Sequence, residues 1–159
     1  MDVNFSHAGA YVHADCACQH TAAVAAGTGD NAYIVGQTFD LLALPFRPTS
    51  AILIATWETT LASSETLSLK SKVEHDTQSN MGTATVYTYD GAETTAMVVK
   101  TGVATGAIGA YKRSVDLRGI KRYFRFSVHQ DLSASGTDTS QLMAGVVFFS
   151  GDAPIADSQ

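Results

Sequence analysis

Tyr123-Phe124-Arg125-Phe126-Ser127-Val128-His129-Gln130 alternates apolar and polar side chains without a break. Neighbouring side chains of an extended chain point to opposite faces, so a period of two means one face on a core and one in water. Phe124, Phe126 and Val128 therefore face inward, while Tyr123, Arg125, Ser127 and His129 face outward. The same pattern recurs upstream, where Leu67, Leu69, Ser71 and Val73 alternate with Ser68, Lys70, Lys72 and Glu74.

Other stretches complete the strand inventory. Ala51 to Trp57 is an apolar, β-branched run, as expected of a strand buried on both faces. Leu142 to Phe149 reads as a last buried strand. Phe39 to Phe46 is apolar and ends among Pro45 and Pro48. Thr83 to Tyr89 stops at Asp90-Gly91, a favoured hairpin turn, with Glu93 to Lys100 as its partner strand. Gly102, Gly106 and Gly109 punctuate a loop before Tyr111 to Val115, and Pro154 to Gln159 is a polar tail. Turn signals recur about every 8–12 residues and no amphipathic helix stands out, which predicts an all-β, antiparallel β-sandwich, jelly-roll or immunoglobulin-like.

Residues 1–37 read differently. Ala8 to Gly36 is rich in Ala, Gly and Thr, without a sustained period, and holds the turn cluster Gly27-Thr28-Gly29-Asp30-Asn31. The expectation is an irregular N-terminal arm with one short strand around Tyr11 to Ala14, followed by a sandwich domain over residues 38–159.

The 159 residues suffice for one core without disulfide or metal staples. Charged residues are only 16% of the chain, which suits a surface packed against neighbours. A formal net charge of -5 argues against general nucleic-acid binding. No run reaches the roughly 20 apolar residues of a membrane-spanning helix. The Met1-Asp2-Val3-Asn4 start has no basic region leading into an apolar stretch, so synthesis in the cytoplasm is expected.

Candidate chemistry is sparse. His13, Cys16, Cys18 and His20 carry the ligand types zinc prefers, about four of which make a structural site. Cys16 and Cys18 would share a face of an extended segment, with Cβ atoms about 7 Å apart, and the two separated pairs of zinc fingers are missing. No metal or other cofactor is expected. Glu74-His75-Asp76 suggests acid–base machinery only when read linearly, because strand neighbours diverge. Ser127 and His129 share an outer face, but no Gly-x-Ser-x-Gly elbow exists. The Gly27 to Ala32 stretch begins like a dinucleotide fingerprint without the helix that motif requires. The chain is therefore not expected to be an enzyme.

Positive charge is concentrated. Lys112, Arg113, Arg118, Lys121, Arg122 and Arg125 are six of the ten Lys and Arg residues. With Tyr123 they form the candidate partner-binding patch, suited to an acidic protein surface.

The stretch from Tyr111 to Phe126, containing Val115-Asp116-Leu117-Arg118-Gly119-Ile120-Lys121-Arg122-Tyr123-Phe124-Arg125, resembles a segment of small virion proteins of tailed bacteriophages. Asp131 to Thr139 and Val146 to Pro154 look like its continuation, and Leu67 to Asp76 is similar to a strand of the same proteins. The resemblance covers roughly the last two thirds of the chain and leaves residues 1–37 unmatched. It implies a head decoration (cement) protein or another small capsid-associated protein, and offers no catalytic residues. The implied partners are the major capsid protein and further copies of the chain, with a trimer as a natural closed form; the implied location is the capsid surface of the virion. The competing expectation is a carbohydrate- or receptor-binding sandwich from a tail fibre or spike, which would want aromatic residues exposed on loops.

Overall fold

The computed structural model describes residues 12–27, 29–87, 97–102, 106–133 and 136–150. These residues form ten strands: β1 (Val12–Val24), β2 (Ala32–Ile34), β3 (Thr38–Asp40), β4 (Ser50–Thr60), β5 (Thr66–Asp76), β6 (Thr85–Val86), β7 (Met97–Thr101), β8 (Gly106–Asp116), β9 (Tyr123–Leu132) and β10 (Thr139–Phe149). One sheet, here sheet A, has the order β1-β10-β4-β8. In sheet B, β2 and β3 both pair with one side of β9, β5 lies on the other, and β6 and β7 share the far side of β5.

All of these pairings are antiparallel, and they follow one rule. The chain doubles back on itself as a long ribbon, pairing β5 with β6 and β7, β4 with β8, β2 and β3 with β9, and β1 with β10. Rolling that ribbon brings β10 against β4 and β9 against β5, closing two sheets of four positions each. This is the jelly roll, the first of the two sandwich types the sequence left open.

The alternation in β9 is realised: Phe124, Phe126 and Val128 are fully buried. Phe148 from sheet A meets Phe124 and Phe39 edge-on, at ring-centroid distances of 5.6 and 5.4 Å, which bonds the two sheets at the centre of the core. Leu53, Leu67, Leu69 and Val146 fill the remaining space with no exposure.

Four expectations are corrected. The stretch expected to be an irregular arm contains the 13-residue β1, in register with β10 from Val12 opposite Phe149 to Val24 opposite Thr139. Its small residues Ala17 and Ala23 are buried against the core. Register breaks between Cys16 and Cys18 and between His20 and Ala23 disguise the period in the sequence. The apolar stretch from Phe39 turns at Leu41 and does not continue extended. β6 and β7 are not partners of each other: β6 takes the Glu74–His75 end of β5 and β7 the Thr66–Leu69 end. The expected Asp90-Gly91 turn lies outside the described residues, as do residues 1–11 and the polar tail from Pro154.

The fourth correction concerns the glycines expected to mark a loop. Gly106 and Gly109 belong to β8, which pairs with β4 from Gly106 opposite Thr60 to Asp116 opposite Ser50. Gly109 faces Trp57, and a Cβ there would stand 2.2 Å from the indole Cζ2. It is a packing glycine: the indole occupies its side-chain space. Gly36 is similar, since its Cβ would fall 1.9 Å from the Phe126 carbonyl oxygen.

Gly109→Ala is expected to cost about 1–3 kcal/mol by overpacking against Trp57, and Phe126→Ala about 3–5 kcal/mol by opening a cavity. Urea unfolding followed by Trp57 fluorescence reads both. A Gly109→Ala midpoint equal to wild type would refute the packing role.

Candidate docking faces

β4, read as buried on both faces, and β10, read as buried, are in fact covered on one side. In β4, Ala51, Leu53, Ala55 and Trp57 point into the core, while Ile52 and Ile54 are half-buried and Thr56 is exposed. In β10, Leu142, Ala144, Val146 and Phe148 point inward, leaving Met143, Gly145 and Val147 on the outer side. Cross-strand register aligns these with their neighbours in rows. One row runs Ala14, Val147, Ile52, Ser114; the next Cys16, Gly145, Ile54, Lys112; a third Gln19, Met143, Thr56, Ala110. Ile108, 81% exposed, and Met143, 53% exposed, are its most prominent apolar side chains.

The outer face of sheet A is thus apolar and nearly uncharged. Two shallow hollows run along it, one of about 630 Å³ bordered by Thr56, Ile108 and Met143, the other of about 400 Å³ bordered by Asp15, Ile54 and Val147. Charge appears on this face as Lys112 on β8 and Glu58 near the end of β4, whose carboxylate accepts a hydrogen bond from Gln141.

The outer face of sheet B is the opposite. Glu74 is flanked by Lys72 at 3.2 Å and Arg125 at 2.9 Å. The Lys72 ammonium lies 4.4 Å from the Tyr33 ring centre, and Tyr33 meets His129 edge-on at 5.2 Å. Arg122 pairs with Asp40 at 2.6 Å, and this contact holds the Asp40 carboxyl below its usual range. That face carries its charges already matched to one another.

The sequence-derived patch is dispersed by the fold. Lys112 stands exposed on the outer face of sheet A, whereas Arg113, on the inward side of β8, reaches the Ser71 hydroxyl at 3.5 Å. Arg118, Lys121 and Arg122 lie in the β8–β9 connection at one end of the sandwich, where Arg118 holds Asp116 at 2.5 Å. Tyr123 and Arg125 belong to the outer side of sheet B. Lys112 has no carboxylate partner among the described residues.

The Cys/His cluster is also separated. The register break after Cys16 turns Cys16 outward and Cys18 into the core. Burial pushes the Cys18 thiol up to about 11, and the ring of His13 lies along Phe148 at 6.4 Å. The side chain of His20 is not among those described. No group of three or more His, Cys, Asp or Glu side chains able to hold a metal occurs among the described residues.

Strand geometry sends His75 to the face opposite Glu74 and Asp76, and the three engage different partners. Glu74 joins the ion pairs on sheet B, and His75 turns toward the Tyr87 ring at 5.1 Å. Asp76, fully buried, accepts hydrogen bonds from the backbone N–H groups of Thr77, Gln78 and Thr83 and from the Thr83 hydroxyl. Burial alone would raise its carboxyl, but these donors outweigh it and hold the group at about 2. Asp76 is therefore the clamp of the loop 77–83. Ser127 and His129 do lie on one side of β9, but Gly36 covers Ser127 and Asn31 caps His129 Nε2 at 3.0 Å. Burial, then the charge of Lys70, lowers the His129 pKa; burial, then Lys121, lowers that of His75.

No protein-family model matches the chain, and no curated protein matches it. Among solved structures, a chain in the structure of infectious bursal disease virus Gt strain is similar with a TM-score of 0.41 and 10% identity, over 87% of this chain and 32% of that one. A chain in the structure of the Gx strain gives a TM-score of 0.40 and 11% identity, over 90% and 33%. The present chain thus spans about a third of the length of those chains.

Both histidines are disfavoured as cations in the folded state, so folded stability is full above the ordinary value of 6.5 and declines as pH falls toward their depressed values. Asp76 acts lower: its contribution is full above the ordinary 3.8 and is lost as pH falls through about 2. The urea midpoint is expected to drop in these two windows on acidification. His129→Gln should flatten the first and Asp76→Asn the second; profiles parallel to wild type would contradict the assignment.

Proposed function

We propose that this chain is a head decoration (cement) protein of a tailed bacteriophage, binding the outer capsid surface and stabilising the head. The observation that carries the reading is the contrast between its two outer faces. One is apolar and nearly uncharged; the other is charged and internally ion-paired. Such a body suits work by docking through its surfaces, and its filled core leaves that work to its exterior. The phage virion-protein resemblance of Tyr111 to Phe126 lies along β8, the β8–β9 connection and β9, and supports the same reading.

In this role the major capsid protein is the partner. The end of the sandwich bearing Arg118, Lys121 and Arg122 supplies the orienting charges. Each contact can be weak, because repetition over a symmetric shell multiplies the effect. The competing reading, a carbohydrate- or receptor-binding module, lacks its usual platform here: the single tryptophan, Trp57, is buried over Gly109. An enzymatic role finds no support in the diverging side chains around His75 and His129.

Purified heads stripped of this protein are expected to release DNA at a lower temperature and to regain resistance when the protein is added back. Charge reversal at Lys121 together with Arg118 should weaken rebinding and its dependence on salt. Absence of the protein from intact virions, or failure of added protein to sediment with stripped heads, would sink the reading.

A further inference from the structure

We propose that the outer face of sheet A packs against the same face of a second copy of this chain, across a two-fold axis running along the strands between β10 and β4. The inference rests on the register and chemistry of that face and does not require the capsid role.

Size comes first. Four strands about 4.8 Å apart, eleven residues long at about 3.4 Å each, present about 700 Å². Standard stable interfaces take about 600–1,000 Å² from each partner. The face is therefore large enough for a self-association and too apolar to be matched by the ion-paired face of sheet B.

Self-complementarity decides the occupant. The proposed axis lays each outer residue of β10 over the β4 residue that it already faces in register. Ile54 then projects into the gap above Gly145 of the other copy, Ile52 meets Val147, and Thr56 meets Met143. A branched side chain set against a residue with none is the interdigitation that stacked sheets need, and the symmetry supplies it twice. The same axis lays β1 over β8 of the other copy, so Cys16 faces Lys112. At the far end Gln141 and Glu58, hydrogen-bonded within one copy, can exchange that bond across the axis.

Sedimentation equilibrium of the full chain is expected to give a dimer at micromolar concentration. Met143→Glu, on an exposed side chain, should yield a monomer with unchanged circular dichroism and thermal midpoint. A cross-link reads the geometry independently: Lys112→Cys with a short bismaleimide should join two chains through Cys16 of one and position 112 of the other, while wild type, with Cys18 buried, should not cross-link. A chain monomeric at about 100 μM would overturn the proposal, since interfaces of this size hold at micromolar or tighter. So would a dimer indifferent to Met143→Glu, or a monomer whose capsid binding alone is lost in that variant, which would give the face to a capsid subunit.

Discussion

The pairing of β10 with β4 is the constraint on which the rest depends. It runs unbroken from Thr139 opposite Thr60 to Phe149 opposite Ser50. It sits in the middle of sheet A, so it joins the β1–β10 pair and the β4–β8 pair into one sheet. Through Phe148 it also sets the core, since that ring closes on Phe39 and Phe124 of sheet B. Slipping this register by one residue would turn Phe148, Val146 and Ala144 into solvent and bring Met143 and Val147 inward.

That same pairing explains where the sequence was legible and where it was not. A strand whose two sides differ in polarity announces itself, so β9 and the alternating part of β5 could be read directly. In β4 and β10 both sides are apolar, and an apolar run reads as full burial whether its second side meets protein or water. Nothing in Ala51 to Trp57 distinguishes the two. What was missed is therefore the outer face of sheet A, and the one available signal was the low charge of the chain as a whole.

β1 was obscured for a different reason. Its two register breaks shift the alternation, and two of its buried positions, Ala17 and Ala23, are small. The basic patch shows the converse error. Residues close in sequence were grouped as one surface, but β8, the turn after it and β9 belong to different sheets of a rolled ribbon. Lys112 and Arg125 consequently stand on opposite exteriors of the sandwich. Distance along the chain is a poor guide to shared surface wherever successive strands cross between layers.

The rolled topology also sets an order of events in the making of the molecule. Among the described residues, β1 finds its sheet partner in β10, more than a hundred positions later in the chain. Until the ribosome has released β10, that pairing cannot form, and sheet A can consist only of the β4–β8 pair. Contacts this distant in sequence make folding slow, on the order of milliseconds to seconds, and leave unpaired edges exposed meanwhile. The kinks in β1 and its alanine-rich composition make the waiting strand a poor template for wrong neighbours. A nascent chain of this design stays safe by being unattractive until its last strand arrives.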